Sequence, residues 1–326
     1  MSFEEYKMKI LVINNQLEQK HIDLIKQTAV ELGVLVNFYK AETDIPESDF
    51  DAEIIYGFAP SIVKTSKNLK WLCVPWAGVD SLMVPGYFAN EECLLTNSAG
   101  AYGVSIAEHM IATSLVMMRR LNEFFEETRN GQWLSPRSQR SLKDCRITVL
   151  GTGDIGTSFA KRAKAFEPAQ IIGVCRSGKS SESVYDKVLS VKELDDVLPE
   201  TDLLAMSLPA TAETKGILSR ERMALMPEGA YIVNVGRGSA IDEDALADNL
   251  ESGHLAGAAL DVFQTEPLPA DNRLWKTKNL LITPHVAGNM TLPYTKDKNV
   301  NMFLEDLRNY KEGRPLRYLV DRRLGY

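Results

Sequence analysis

The chain has 326 residues, 44% of them hydrophobic and 25% charged, and a formal net charge of −7. That length accommodates two ordinary domains, the composition argues against disorder, and the acidic balance argues against a general nucleic-acid surface while leaving room for a local basic pocket. No run approaches the roughly 18 apolar residues of a membrane span, and the start of the chain, with Glu4, Glu5, Lys7 and Lys9, shows no apolar signal core, so neither a membrane partner nor a leader is expected.

The first part alternates strand-like and helix-like segments. Met8–Ile13 reads as a buried strand. Leu17–Leu32 reads as a helix, with Leu17, Ile22, Ile25 and Leu32 as its apolar stripe and Gly33 as its stop. Val34–Tyr39, Ile54–Tyr56, Trp71–Val74 and Leu94–Thr96 read as further short strands. Such alternation implies a parallel sheet covered on both faces, a small flavodoxin-like α/β lobe. Next comes a long apolar helix, about Ala101 to Leu121, apolar on most sides and so expected in a core or an interface. Asn122–Lys143 is polar, carries Trp133 and Pro136, and reads as an arm. Helix and arm together point to a homodimer.

Ile147-Thr148-Val149-Leu150 then runs straight into Gly151-Thr152-Gly153-Asp154-Ile155-Gly156. A strand feeding G-x-G-x-x-G is the turn of a dinucleotide-binding βαβ unit. Gly151 allows the tight turn, Gly153 lets a pyrophosphate approach the backbone, and Gly156 lets the helix pack on the strand. Ile155, Phe159, Ala163 and Phe166 continue as a helical pattern whose N-terminus offers N–H groups to phosphate. Strands follow at Ile171–Val174, Leu203–Met206, Tyr231–Val235, Ala258–Val262 and Leu280–Thr283. That makes about six parallel strands, a full Rossmann sheet. Tyr294–Arg308 is an amphipathic helix with no new sheet after it, expected to return to the first lobe.

The expected architecture is therefore α/β, with two Rossmann-like domains. A doubly wound dinucleotide-binding domain, 99–288, is inserted in a smaller flavodoxin-like substrate domain, 1–98 and 289–326. The four cysteines, Cys73, Cys93, Cys145 and Cys175, form no C-x-x-C and sit in or beside apolar runs, so reduced thiols in a cytoplasmic protein are expected.

Arg237, Glu266 and His285 each lie just beyond a consecutive strand, along the sheet edge where open α/β folds bind ligands. The planar fork of Arg237 suits a carboxylate or carbonyl oxygen, although taken alone it is equally a turn arginine on the surface. His285 is a natural proton donor near neutral pH, and a carboxylate beside it would fix the ring and favour imidazolium. His21, His109 and His254 read as structural or solvated. No His/Cys/carboxylate cluster has metal-ligand spacing, so no metal is expected.

With these residues in place, the chain resembles the D-isomer-specific 2-hydroxyacid dehydrogenases over nearly its full length. The matching blocks are Trp76-Ala77-Gly78-Val79-Asp80, Asn97-Ser98-Ala99-Gly100 running to Ala107-Glu108-His109, the Gly151–Gly156 turn, Ser207-Leu208-Pro209, NVGRGSAIDEDAL, ALDVFQTEPLP and TPHVAG. The resemblance implies Arg237, Glu266 and His285 as the catalytic group. It implies Ala77-Gly78-Val79 as a backbone cradle for a substrate carboxylate, with Tyr56, Trp76 and Arg237 also on the substrate. For the cofactor it implies the Gly151–Gly156 turn with Leu208, Pro209, Thr214, Val235, Gly236, Asp261 and Gly288. Hydride would pass between NAD(P)H and a 2-keto or 2-hydroxy acid, with His285 donating the proton in reduction and Arg237 polarising the carbonyl.

One departure bears on the cofactor. The acid expected about 20 residues past the turn, for the ribose of NAD, is missing. Cys175-Arg176-Ser177-Gly178-Lys179 stands there instead. Arg176 and Ser177 would suit a 2′-phosphate, so NADP(H) is expected, although the same turn is compatible with a solvated loop beside an NAD(H) site. The expected reaction is of the glyoxylate/hydroxypyruvate reductase kind. A phosphoglycerate dehydrogenase is the alternative within the family, and a dinucleotide-sensing corepressor-like binding protein is the alternative outside enzymes. The side-chain pocket is expected from Tyr56-Gly57-Phe58, the Trp76 loop, Tyr102 and Met290.

Overall fold

The computed structural model describes residues 8–133 and 135–325; the charged residues before Met8, and Leu134 of the expected arm, lie outside them. The chain forms two compact units, one made of the residues up to Tyr102 together with those from Asn289 on, the other Gly103–Gly288. No helix among the described residues is long and apolar enough to cross a membrane.

The discontinuous unit begins with β1 (Lys9–Ile13), α1 (Gln19–Leu32), β2 (Leu35–Tyr39), β3 (Ile54–Gly57), α2 (Pro60–Thr65), β4 (Trp71–Cys73) and β5 (Leu94–Thr96). Its strands pair in parallel in the order β2-β1-β3-β4-β5, the flavodoxin-like arrangement. Side chains alternate across the sheet. Ile10, Val12, Ile54 and Tyr56 enter one apolar cluster, and Leu11, Ile13, Ile55 and Leu72 enter the other. Both faces are covered, which is why the strands read as continuous apolar runs. Gly33 closes α1 in the left-handed conformation, its N–H reaching back to the helix carbonyls.

The second unit opens with α3 (Gly103–Met118) and α4 (Leu121–Arg129). α3 answers the long apolar helix expected at about Ala101 to Leu121, stopping at Met118. The helix breaks at Arg119–Arg120, where Arg120 takes φ 55°. Polar side chains after the break fold the chain back on itself: Arg137 pairs with Glu123 at 2.6 Å and also with Glu127, and Arg119 Nε donates to Gln139 at 2.6 Å. The expected arm is corrected at its start, which is helix α4. Trp133 beyond it is 97% exposed. Within α3, Ile106, Ala107, Met110 and Met117 are buried while Val104 is exposed, so the helix is not enclosed on all sides.

The sheet of this unit comprises β6 (Arg146–Leu150), β7 (Gln170–Cys175), β8 (Lys187–Ser190), β9 (Leu203–Met206), β10 (Ala230–Asn234), β11 (Leu255–Leu260) and β12 (Leu280–Ile282), with α5 (Asp154–Ala163), α6 (Leu194–Val197), α7 (Arg220–Leu225) and α8 (Glu243–Ser252) between them. The order β12-β11-β10-β9-β6-β7-β8 is a Rossmann sheet with a seventh strand. The expected six is corrected by β8, an edge strand in which only Leu189 is fully buried. An edge strand needs no apolar run, so periodicity passes over it. β11 also starts earlier than expected: Leu255-Ala-Gly-Ala-Ala-Leu has weak β propensity, but parallel pairing on both sides holds it in the sheet.

The last helix among the described residues, α9 (Pro293–Lys311), packs on α1 of the first unit, as expected. Its Phe303 stacks on Tyr56 with ring centroids 4.3 Å apart.

Candidate active site

The Gly151–Gly156 turn links β6 to α5. A Cβ at Gly156 would fall 1.9 Å from the Gly151 carbonyl oxygen, so no other residue lets α5 start this close to its strand. A Cβ at Gly153 would meet nothing within 4 Å. That open space in front of a helix N-terminus suits a pyrophosphate. Asp154 is exposed in the first turn of α5, Ile155 is half-buried, and Thr152 packs against Gly173 of β7. The residues present therefore fit a dinucleotide.

Arg176 and Ser177 follow β7 and are exposed. Ser177 Oγ donates to the Lys179 carbonyl and accepts the Lys179 N–H, which shapes a tight basic turn. Partial burial alone would push the Cys175 thiol up. Hydrogen bonds from the Ser177 and Thr152 side chains and from the Lys179 and Gly178 backbone outweigh that and hold the thiol below its ordinary value. Beyond β9, Leu208 is buried and Pro209 half-buried. Thr214 Oγ donates to the Pro209 carbonyl at 2.6 Å and accepts the Thr211 N–H at 2.9 Å, closing that loop.

Three adjacent strands lead into the candidate catalytic residues. Arg237 follows β10 in extended backbone after the buried Val235 and Gly236. The Asn234 amide brackets the turn, accepting the Gly236 N–H at 3.0 Å and donating to the Arg237 carbonyl at 3.0 Å. A Cβ at Gly238 would fall 1.9 Å from the Phe263 backbone, so the Arg237 turn lies directly on the turn that follows β11. Within that second turn Glu266 Oε1 accepts the Phe263 N–H at 2.8 Å. Glu266 Oε2 meets His285 Nδ1 at 2.6 Å. The carboxylate holds Nδ1, leaving Nε2 as the nitrogen for proton transfer. The His285 side chain is 48% exposed, so that nitrogen is accessible.

Sequence reasoning missed what sets His285 in place. His285 has φ 51°, a left-handed conformation that a non-glycine residue adopts only when held there. Its N–H donates to the Asp261 carbonyl at 2.9 Å. The Asp261 carboxylate takes Val286 N–H and Ala287 N–H at 2.9 Å each and the Thr283 hydroxyl at 2.6 Å. Thr283 in turn meets His109 Nε2 of α3 at 3.2 Å. Asp261, expected on the cofactor, is thus 2% exposed and spent on the His285 turn. An aspartate closing a strand next to a histidine turn is the only trace of this in the sequence. Gly288 ends this unit.

In the other unit, Tyr56 is corrected as a substrate-facing side chain. It is fully buried, its ring on Phe303 and its hydroxyl donating to Asn299 Oδ1 at 2.6 Å. Val79 is likewise buried in the core, and Met290 is buried against Asn14. Trp76, half-buried, meets Phe58 edge to face at 5.4 Å. Ala77 and Gly78 are half-buried beside it.

A sequence model of the D-isomer specific 2-hydroxyacid dehydrogenase NAD-binding domain matches residues 111–287. The chain is 31% identical to a glyoxylate reductase of Thermofilum pendens, over 70% of this chain and 68% of that one. It is 28% identical to a D-3-phosphoglycerate dehydrogenase of Archaeoglobus fulgidus over 96% of this chain, and spans 59% of that relative's length. Among solved structures it is similar to a D-isomer specific 2-hydroxyacid dehydrogenase family protein of Aeromonas salmonicida, with 30% identity, TM-score 0.86 and coverage of 97% and 99% of the two chains. A D-isomer specific 2-hydroxyacid dehydrogenase of Xanthobacter autotrophicus, solved with NADPH and MES, aligns with 28% identity, TM-score 0.81 and coverage of 98% and 99%. The chain belongs to the D-isomer specific 2-hydroxyacid dehydrogenase family, whose NAD-binding domain it contains.

Proposed function

We propose that the protein is an NADPH-dependent reductase of a small 2-keto acid, of the glyoxylate/hydroxypyruvate kind. The observation that carries this reading is the 2.6 Å His285–Glu266 pair at the ligand-binding edge of a Rossmann sheet, with Arg237 on the next strand. When bound, the nicotinamide supplies the hydride. The chain supplies the rest. Arg237 neutralises charge developing on the carbonyl oxygen. His285 Nε2 gives that oxygen its proton, and Glu266 steadies the imidazolium through Nδ1. The unit from Gly103 to Gly288 takes the dinucleotide, and the Trp76–Val79 loop of the other unit offers N–H groups to a carboxylate.

For NADPH, the support is the exposed Arg176-Ser177 turn where an acid would serve NAD, and the NADPH bound to the Xanthobacter relative. The exposed Val104, Phe125 and Trp133 support a homodimer. The four unpaired cysteines suit a reducing cytoplasm. Steady-state rates on glyoxylate, hydroxypyruvate, 3-phosphohydroxypyruvate and pyruvate, each with NADPH and NADH, test the reading. Turnover of glyoxylate or hydroxypyruvate is expected. A preference for the phosphorylated acid would move the assignment to phosphoglycerate chemistry. Cofactor binding without turnover of any acid would favour a sensor.

A further inference from the structure

The segment Val74–Ala77 is held by every one of its carbonyls. Ser98 Oγ donates to Val74 O at 3.1 Å and Ser98 N–H to Trp76 O at 2.9 Å. Asn97 Nδ2 donates to Ala77 O at 2.7 Å. Asn299 Nδ2 donates to Pro75 O at 3.0 Å, and the Tyr102 hydroxyl donates to the same oxygen. Asn97, Ser98, Tyr102 and Asn299 are all buried. Meanwhile no hydrogen bond among the described residues uses the N–H of Ala77, Gly78 or Val79. With the carbonyls tied inward, successive N–H groups remain for an anion.

Asn299 is the least expected of these donors. It stands on α9, more than two hundred residues along the chain from the loop. The orientation of its amide follows from chemistry. Pro75 O can only accept, so Nδ2 faces it. Oδ1 then faces the Tyr56 hydroxyl, which donates at 2.6 Å. A buried amide with both ends satisfied is rigid, and leaving either end unmade is costly. Apolar packing of α9 is already provided by Val300, Phe303 and Leu304. The amide at 299 fixes one carbonyl of the loop.

We propose that Asn299 and Asn97 are positioning residues for carboxylate recognition: they hold the Trp76–Val79 loop by its carbonyls so that its N–H groups are preset for the carboxylate of a 2-keto acid. The inference rests on the reading that this protein takes such an acid. Tyr56 acts behind Asn299, so its hydroxyl serves the substrate site without facing substrate.

The test is calorimetric titration of oxamate, a non-reducible 2-keto acid analogue, into the full-length protein saturated with NADPH. Asn299→Leu and Asn97→Ala are expected to weaken oxamate roughly ten- to a hundredfold, with NADPH affinity unchanged. Tyr56→Phe keeps the Phe303 stack and removes only the hydroxyl; a smaller loss is expected, and this variant carries the test if Asn299→Leu does not fold. In turnover, KM should rise more than kcat falls. The preference for glyoxylate over its methyl ester should shrink, whereas a merely structural role would lower acid and ester alike. Oxamate binding equally well to wild type and all three variants overturns the positioning role and leaves the proposed function standing. A wild type that neither binds oxamate nor reduces any 2-keto acid removes the functional reading and this inference with it.

Discussion

The Asp261 carboxylate accepts the backbone N–H of Val286 and of Ala287, each at 2.9 Å, and so grips the turn in which His285 stands left-handed. Asp261→Ala leaves those donors and the Thr283 hydroxyl without their acceptor. A cost of about 1–3 kcal/mol in stability is expected, read from a denaturant melt. The rate at a temperature where the variant is fully folded should fall further than the lost stability explains, because Nε2 is no longer held in place. A folded variant with the wild-type rate would show that the turn stands without Asp261.

His285→Ala removes the proposed proton donor. A loss of ~10²–10⁴-fold in kcat is expected, with NADPH affinity kept. Glu266→Gln should cost less than His285→Ala, since Nε2 survives but its ring is no longer held by a charged partner. Equal losses in the two variants would mean that Glu266 does more than support the ring.

Arg237→Ala should lower kcat/KM by ~10²-fold or more; the turn loses the bond from Arg237 Nη1 to the Gly236 carbonyl at 2.8 Å but keeps the Asn234 amide bracket, so the variant is expected to stay folded. Arg237→Lys should recover only part of the activity, since an ammonium lacks the planar fork. A fully active lysine variant would argue for a simple charge effect.

Arg176→Ala should weaken NADPH tenfold or more (about 1.4 kcal/mol) and NADH little. Fluorescence titration of both cofactors measures this. A wild type that binds NADH more tightly than NADPH would contradict the assignment of Arg176 and Ser177 to a phosphate.

Cys175 should be the first thiol to react. Its thiol is held below the ordinary value, whereas burial pushes Cys73 and Cys93 up to about 12 and Cys145 up to about 11. Iodoacetamide followed by peptide mapping should find label on Cys175, persisting to lower pH than for a free cysteine. NADPH should protect it, because Cys175 precedes Arg176. Labelling unaffected by saturating NADPH would place the cofactor elsewhere.

Much of the fold was legible because parallel strands buried on both faces must be apolar without interruption. β1, β3, β6, β9 and β10 were therefore readable almost to the residue. β8 was not, since an edge strand buries too little to leave a pattern, and helix α4 was not, since Leu121–Arg129 buries none of its residues fully. The glycine turn was readable because a close backbone approach allows no other residue.

Arg237, Glu266 and His285 were proposed from their positions after consecutive strands, which chain order alone supplies. That Glu266 meets Nδ1 rather than solvent, that Asp261 holds the histidine turn, and that Asn299 reaches back to Pro75 were decided only by the tertiary structure. The reason is physical. Burial leaves its mark on each residue's own chemistry and can be read locally. A hydrogen bond between residues far apart in the chain depends on where two elements come to rest. A buried asparagine on a helix face, such as Asn299, needs a partner, but only packing against β3 and the Pro75 carbonyl supplies one.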